Sequence, residues 1–228
     1  SDSIASPNTT LNAIVAEAFC EAADELEKAE DFDMAVHDLI KKYMTEHQRI
    51  VFNGDGYSED WVKEAERRGL PNIKSMVDAT ATLTTEKSIR LFEKFGIFTK
   101  AELESREEIL YETYAKSINI EALTMIDMAT KQIIPAVVKY TITLANSLSA
   151  VKAACEAANV SVQKELLIEV SDLLAETKTA LTVLKKAVAE ASQKEAGKDM
   201  AYAYKDIVMP AMAALRAPVD KLEMLVDK

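Results

Sequence analysis

Two histidines, His37 and His47, are the chain's candidates for acid–base catalysis near neutral pH. They lie ten residues apart, so on one helix they would point to different faces, and neither belongs to a helical metal pair such as His-Glu-x-x-His. No Ser-His-Asp or Cys-His set can be assembled, because groups that could act as a general base near neutral pH are nearly absent. We therefore predict surface or helix-end positions for both histidines.

A glycine-containing loop, Asn53-Gly54-Asp55-Gly56, resembles a phosphate or calcium loop only at first sight. The third glycine of the G-x-G-x-x-G pattern would fall on Glu59, and Tyr57 and Ser58 stand where a calcium loop needs other residues. Asn-Gly steps favour tight turns because glycine tolerates positive φ angles. The sequence predicts a turn here and no phosphate or calcium site.

The sulfur-containing residues also lack the spacing of a site. Cys20 and Cys155 are far apart in alanine-rich surroundings, which predicts two buried free thiols and no disulfide or metal knuckle. Met125 and Met128 lie one helical turn apart and are predicted to fill core space. We assign no catalytic, cofactor-binding or metal-binding residue in this chain.

Composition indicates the fold class. The 228 residues are 49% hydrophobic and contain only five Gly and five Pro, so strong helix formers fill nearly every stretch and predict an all-α protein. A net charge of −11 repels nucleic acid and anionic lipid. We find no run of about 20 apolar residues and no signal peptide, which predicts no membrane partner and a cytoplasmic location.

Helix-start signals divide the first half of the chain into short helices. Asn8 is predicted to cap a first helix that ends near Lys28. Further caps are predicted at Asp31, Ser58 and Thr84 or Thr85, the last for a helix that ends at Gly96. Residues 72–83 show no periodic pattern and are predicted to be irregular.

Long helices dominate the second half. Thr99 and Glu102 form a capping box for a helix that runs to about Ala158, bent at Pro135. Ser161 opens another helix that Gly197 ends, and a last one follows from about Lys198, distorted at its prolines. The middle helix carries a heptad seam of Leu167, Val170, Leu174, Thr177, Leu181, Leu184, Val188 and Ala191. Short connections between long helices predict an antiparallel bundle.

Several segments resemble type III glutamine synthetases in the region after the catalytic domain. The resemblance covers nearly the whole chain and is carried by residues 3–12, 52–61, 64–72, 91–96, 102–106 and 133–136. In glutamine synthetases generally, a Pro-Asp step followed shortly by Asn-Pro-Tyr-Leu ends the synthetase core. Pro7-Asn8 and Leu11-Asn12 are similar to the divergent type III form of that segment.

The resemblance implies an ATP-dependent ligase that joins ammonia to glutamate through γ-glutamyl phosphate, with Mg²⁺ or Mn²⁺ held by carboxylates. It places those motifs upstream of Ser1, so the isolated chain is expected to be inactive. The implied partners are the upstream catalytic domain and further copies of the full-length enzyme. A free-standing helical scaffold or signalling bundle is the alternative that the heptad seam alone would permit.

The resemblance also suggests a division of the chain. Residues 1–30 are expected to be the end of the catalytic core, 31–98 a family-specific region of short helices and loop, and 99–228 the long-helix bundle. The first helix should then carry apolar residues that contact a part of the protein outside this chain. We expect part of the stripe formed by Leu11, Val15 and Phe19 to be exposed.

Overall fold

A computed structural model describes residues 3–226, and within them the chain is helical without any strand. The prediction of an all-α protein is confirmed. The chain forms two compact units, one that ends at Glu107 and one that begins at Glu108. The functional division at residues 30 and 98 stays a prediction.

The first unit contains five short helices before a long one begins. They are α1 (Ala5–Leu26), α2 (Phe32–Glu46), α3 (Glu59–Arg67), α4 (Met76–Thr80) and α5 (Glu86–Lys94). The side chains of Asp31, Ser58 and Thr85 accept hydrogen bonds from backbone N–H groups at the starts of α2, α3 and α5, as predicted. Gly69 and Gly96 follow α3 and α5 with φ of 70° and 61°, where a side chain would be strained.

Two predictions in this unit are wrong. Helix α1 begins at Ala5, so Asn8 lies inside it, and Ile4 occupies the capping position without a side-chain hydrogen bond. Pro7 permits this because the first-turn N–H groups of a helix have no intrahelical acceptor. Residues 72–83 are not wholly irregular, since Ser75 caps the short helix α4 by accepting from Val77 N–H.

The core of the first unit is small. Phe92, Ala13 and Leu103 are buried together, with Ile89 and Phe98 packed against them. Many large apolar side chains of α1 and α2 are left exposed. This unit therefore buries much less of its apolar surface than its composition would allow.

The long helix of the second half begins at the predicted capping box. Thr99 N–H donates to Glu102 Oε2 at 2.8 Å, and Glu102 N–H donates to Thr99 Oγ1 at 3.3 Å. Helix α6 (Lys100–Met128) passes through a π-helical turn (Ala129–Ile133) into α7 (Ile134–Ala154). Pro135 therefore follows a π-turn within a helix that ends at Ala154, four residues earlier than predicted.

The π-turn keeps the buried face of this helix in register. The buried residues Ala115, Ala122 and Ala129 follow at intervals of seven, and Leu144 follows Val137 at seven. The step from Ala129 to Val137 is eight residues, and it spans the π-turn, which accommodates one extra residue. The helix therefore presents one continuous face to its neighbours despite the proline.

Two further helical segments complete the second unit. Helix α8 spans Ser161–Ala191, and α9 (Lys198–Ala203) continues through a second π-turn (Tyr204–Val208) into α10 (Met209–Leu225). One end of α8 packs with α6 and the π-turn before α10, while its other end packs with α7 and the end of α10. This pairing confirms the antiparallel bundle.

The seam of α8 is largely as predicted, with two corrections. Val170, Thr177, Leu181, Leu184, Val188 and Ala191 are buried. Leu167 and Leu174 are only half-buried, and Leu173 is buried in place of Leu174. Gly197 does not end α8. The helix ends at Ala191, and Gly197 precedes α9 with a φ of 93°.

One described helix, Lys100–Ala154, is long and apolar enough to cross a membrane, with a mean hydropathy of 1.2 over its most apolar 18 residues. A helix that packs in a bundle can meet the same criterion. Val137 and Leu144 of this helix are buried against α8 and α10. The absence of a membrane partner remains a prediction.

Candidate interaction surfaces

The predicted non-catalytic histidines lie on the surface of the first unit. His37 is exposed on α2 beside Asp38, with 3.3 Å between Nδ1 and the carboxylate. His47 is exposed where α2 ends, its ring tilted against Tyr43. Both positions agree with the prediction of surface or helix-end residues.

The sulfur residues depart partly from expectation. Both cysteines are free, but Cys155 is exposed and Cys20 is half-buried. The prediction of two buried thiols is therefore wrong, because Cys155 follows the last residue of α7 in an extended conformation outside the core. Met125 packs against the bundle core as predicted, whereas Met128 is exposed.

An aromatic and guanidinium cluster supports the glycine loop. We call Phe52, Trp61, Glu64 and Arg68 the Trp61 cluster. The rings of Phe52 and Trp61 stack with centroids 4.2 Å apart, and the Arg68 guanidinium lies 5.9 Å and 5.6 Å from their centroids. The cluster thus fixes the segment before the loop to the helix after it.

Arg68 also donates hydrogen bonds to backbone carbonyl groups that precede the loop. Its Nη1 donates to the carbonyl of Val51 at 2.7 Å and to that of Arg49 at 3.3 Å. Its Nε lies 2.5 Å from Glu64 Oε1, and Arg67 donates two hydrogen bonds to the same carboxylate. Hydrogen bonds from Arg67 and then Arg68 lower the pKa of Glu64 to about 2.

The loop contains a turn, as predicted, but neither Gly54 nor Gly56 has a positive φ, so the conformational reason given for that prediction is wrong. Asp55 Oδ1 accepts from Tyr57 N–H at 2.9 Å, and Ser58 Oγ donates to Asp55 carbonyl while also capping α3. A Cβ on Gly54 would lie 2.7 Å from Phe52 Cζ, so a side chain there would press on the Trp61 cluster. The tip residue Tyr57 is fully exposed.

Helix α1 carries an exposed apolar surface. We call Leu11, Val15 and Phe19 the α1 stripe, and their side chains are 59%, 51% and 72% exposed. The opposite side of α1 is in contact with its own unit, since Ala13 is buried and Glu17 forms an ion pair with Lys94. The exposure that we predicted for this stripe is observed.

The grooves of the described surface do not resemble nucleotide sites. One, of about 490 Å³, is lined by Thr84, Glu86, Ile89, Arg90, Lys100, Glu104 and Glu107. Another, of about 420 Å³, is bordered by four carboxylates and one lysine, together with Ile168 and Leu173. Within residues 3–226 no three His, Cys, Asp or Glu side chains are grouped as metal ligands.

The Trp61 cluster was not recognised from the sequence. Glu64, Arg67 and Arg68 lie three and four residues apart on a helix, a spacing that favours ion pairs and was available as a signal. The stacking of Phe52 on Trp61 joins residues on opposite sides of a turn. Its geometry depends on the loop conformation, which local propensity does not determine.

Comparison with known proteins identifies relatives. Glutamine synthetase from Butyrivibrio fibrisolvens is 35% identical over 193 residues, which are 85% of this chain and 28% of the relative. Type-3 glutamine synthetase from Dictyostelium discoideum is 39% identical over 148 residues, 64% of this chain and 20% of the relative. Glutamine synthetase from Bacteroides fragilis (strain YCH46) is 33% identical over 199 residues, 86% and 27% respectively.

The chain spans between a fifth and three tenths of the length of these relatives. Residues 35–152 match the family described as the glutamine synthetase C-terminal domain. That match includes the glycine loop, the Trp61 cluster and most of the first long helix. The chain therefore belongs to the glutamine synthetase C-terminal domain family.

Proposed function

We propose that this chain is the C-terminal region of a glutamate–ammonia ligase. In that enzyme ATP phosphorylates the γ-carboxylate of glutamate, and ammonia then displaces phosphate to give glutamine. The family match and the names of the three relatives support this activity for the whole protein. The chemistry is assigned to the part of the protein upstream of the chain described above.

ATP and Mg²⁺ or Mn²⁺ are the cofactors that this family implies for the full enzyme. The grouping of donors that would hold a divalent metal is not found within residues 3–226. The larger groove in the first unit is bordered by Arg90 and Lys100 but also by Glu86, Glu104 and Glu107, which would repel a triphosphate. We therefore propose no nucleotide or metal ligand among these residues.

The role proposed for this region is structural, in subunit contact or in closure over the upstream active site. The observation that carries it is the exposed α1 stripe. Apolar side chains of this size are usually covered in a folded protein, and contiguous exposed ones mark contact sites. The occupant proposed for the α1 stripe is the upstream catalytic body of the same polypeptide.

Substitution of Phe19 in the full-length protein tests this role. Phe19→Ser is expected to reduce glutamine formation and lower the melting temperature, because the side chain would lose its apolar contact with the catalytic body. In the isolated 228-residue chain the same change should leave stability nearly unaltered, since Phe19 is exposed there. Met224→Ser, at a residue 86% exposed on α10, is the matched control.

The isolated chain supplies the second arm of the test. It is expected to make no glutamine and to show no micromolar ATP binding by calorimetry with Mg²⁺ present. Glutamine formation by the isolated chain would overturn the assignment of chemistry to the upstream part. Equal effects of Phe19→Ser and Met224→Ser in the full-length protein would overturn the role of the α1 stripe.

A cytoplasmic location is part of the proposal and is supported by the acidic net charge of −11 and by the family.

The scaffold alternative has one observation in its favour, the buried seam of α8. A simple bundle has no evident use for the Trp61 cluster, which lies within the segment that matches the family. The ligase fragment is therefore the function we favour.

A further inference from the structure

The outward face of the first long helix carries a self-complementary pattern. We call Glu112, Lys116, Ile120, Leu123, Asp127 and Lys131 the outward stripe. Successive members are four, four, three, four and four residues apart, which keeps them on one face of a helix. Their order is negative, positive, apolar, apolar, negative, positive, and reversal of that order exchanges the signs of the charges.

These side chains are available at the surface of the second unit. Ile120 is 65% and Leu123 is 49% exposed, while Ala122 between them is fully buried in the bundle core. The Lys116 ammonium lies 2.6 Å from the Glu112 carboxylate, and Lys131 forms an ion pair with Asp127. The two apolar residues are thus flanked on both sides by an ordered pair of opposite charges.

We propose that a second copy of this chain docks antiparallel on the outward stripe. The two-fold axis would pass between residues 121 and 122. Glu112 of each copy then lies opposite Lys131 of the other, Lys116 opposite Asp127, and Ile120 opposite Leu123. Such a contact is isologous, since both copies use the same patch of surface.

Charge complementarity is the reason for choosing a second copy as the occupant. The net charge of −11 makes most approaches of two copies repulsive. The outward stripe contains two acidic and two basic residues and is therefore neutral. When two copies run antiparallel, every charged residue of the outward stripe faces a residue of opposite sign on the other copy. A second copy of the chain therefore supplies a complementary surface.

The inference rests on the subunit-contact role of the proposed function and names the surface used. Its test is self-association of the 228-residue chain, measured by sedimentation equilibrium in low salt. Every protein carries Phe19→Ser, so that association through the α1 stripe does not contribute. Because no glutamine formation is measured, failure here is distinguishable from failure of the ligase assignment.

Charge reversal and its rescue test the pairing. Lys116→Glu alone places a second carboxylate opposite Asp127 at each of two symmetric positions in the dimer. It is expected to raise the dissociation constant about tenfold. Asp127→Lys alone should do the same. The double variant restores opposite signs and should return within about threefold of the parent. Val183→Ser on α8, at a residue also exposed, should leave association unchanged.

Three outcomes would overturn the proposal. They are a parent protein that is monomeric at about 100 μM, single and double variants that weaken association equally, and a Val183→Ser effect as large as that of Lys116→Glu. If the parent is monomeric, its flotation with phosphatidylcholine vesicles would assign the apolar residues to a membrane instead. Circular dichroism confirms for each variant that the helix has formed.

Discussion

The rings of Phe52 and Trp61 stack with their planes 27° apart, across a turn that separates them by nine positions in the chain. Arg68 lies against both rings and donates to the backbone before the turn. Trp61 is the only tryptophan, so its fluorescence reports directly on this cluster. The first two predictions use that signal.

Gly54→Ala is expected to disturb the stacked rings. The new Cβ would lie 2.7 Å from Phe52 Cζ, so the phenyl ring must move away from Trp61 and the emission of Trp61 should shift. The ring can rotate, and we expect a loss of stability of only about 1 kcal/mol. Gly56→Ala is the matched control, because nothing lies within 4 Å of its Cβ position. An unchanged emission in Gly54→Ala would contradict the stacked arrangement.

Acid should release the Trp61 cluster. The pKa of Glu64 is lowered from 4.5 to about 2 in the folded chain, so its ion pairs stabilise the fold above about pH 4.5 and are lost as the pH falls through about 2. A Trp61 fluorescence transition is expected in that window. Glu64→Gln should remove the transition and resemble the acid form already at pH 5. If the neighbouring Glu66→Gln removes it equally, Glu64 is not the group responsible.

Loss of the capping box should weaken the start of the long helix. Thr99→Ala removes the acceptor for Glu102 N–H and is expected to cost about 1 kcal/mol. Urea unfolding followed by circular dichroism gives this value. Thr179→Ala, in the exposed middle of α8, should change stability by less than about 0.5 kcal/mol. Equal effects of the two substitutions would show that the cap contributes nothing.

The stability lost when a seam leucine is truncated to alanine should depend on how deeply that leucine is buried. Leu181 is 1% exposed, and Leu181→Ala is expected to cost about 2–5 kcal/mol. Leu174→Ala should lower the free energy of unfolding by less, because the half-buried Leu174 side chain is already partly exposed to water. Val183→Ala on the exposed side of α8 serves as control. A larger loss at position 174 than at 181 would contradict the packing of α8.

Features that depend on hydrogen bonds within three residues could be predicted from the sequence. The caps at Asp31, Ser58 and Thr85 and the box at Thr99 are of this kind. Asn8 failed as a cap because nothing local prevents α1 from starting earlier, at Ala5. Helix α4 was missed because five residues are too few to show a period of 3.6.

Features that depend on packing were less accessible. The heptad pattern predicted most of the α8 seam, yet neighbours in space decide whether Leu173 or Leu174 is buried. Pro135 predicted a bend in the long helix where the structure has a π-turn, since either distortion accommodates a helical position that lacks an N–H donor. The exposed α1 stripe was expected only because the family resemblance implied a catalytic part upstream of this chain.

The π-turn at Ala129–Ile133 has a consequence for the gene. It accommodates one residue more than an α-helix of the same length would hold, so deletion of a single codon there leaves a helix that can still close its hydrogen bonds. The step from Ala129 to Val137 would then be seven residues, the same spacing as between the other buried positions of this helix, so Val137 and Leu144 would stay on the buried face. A one-residue deletion elsewhere in the same helix would instead turn everything downstream by about 100° about the helix axis. Single-codon deletions should therefore be tolerated better in this codon run than in the α-helical stretches on either side of it.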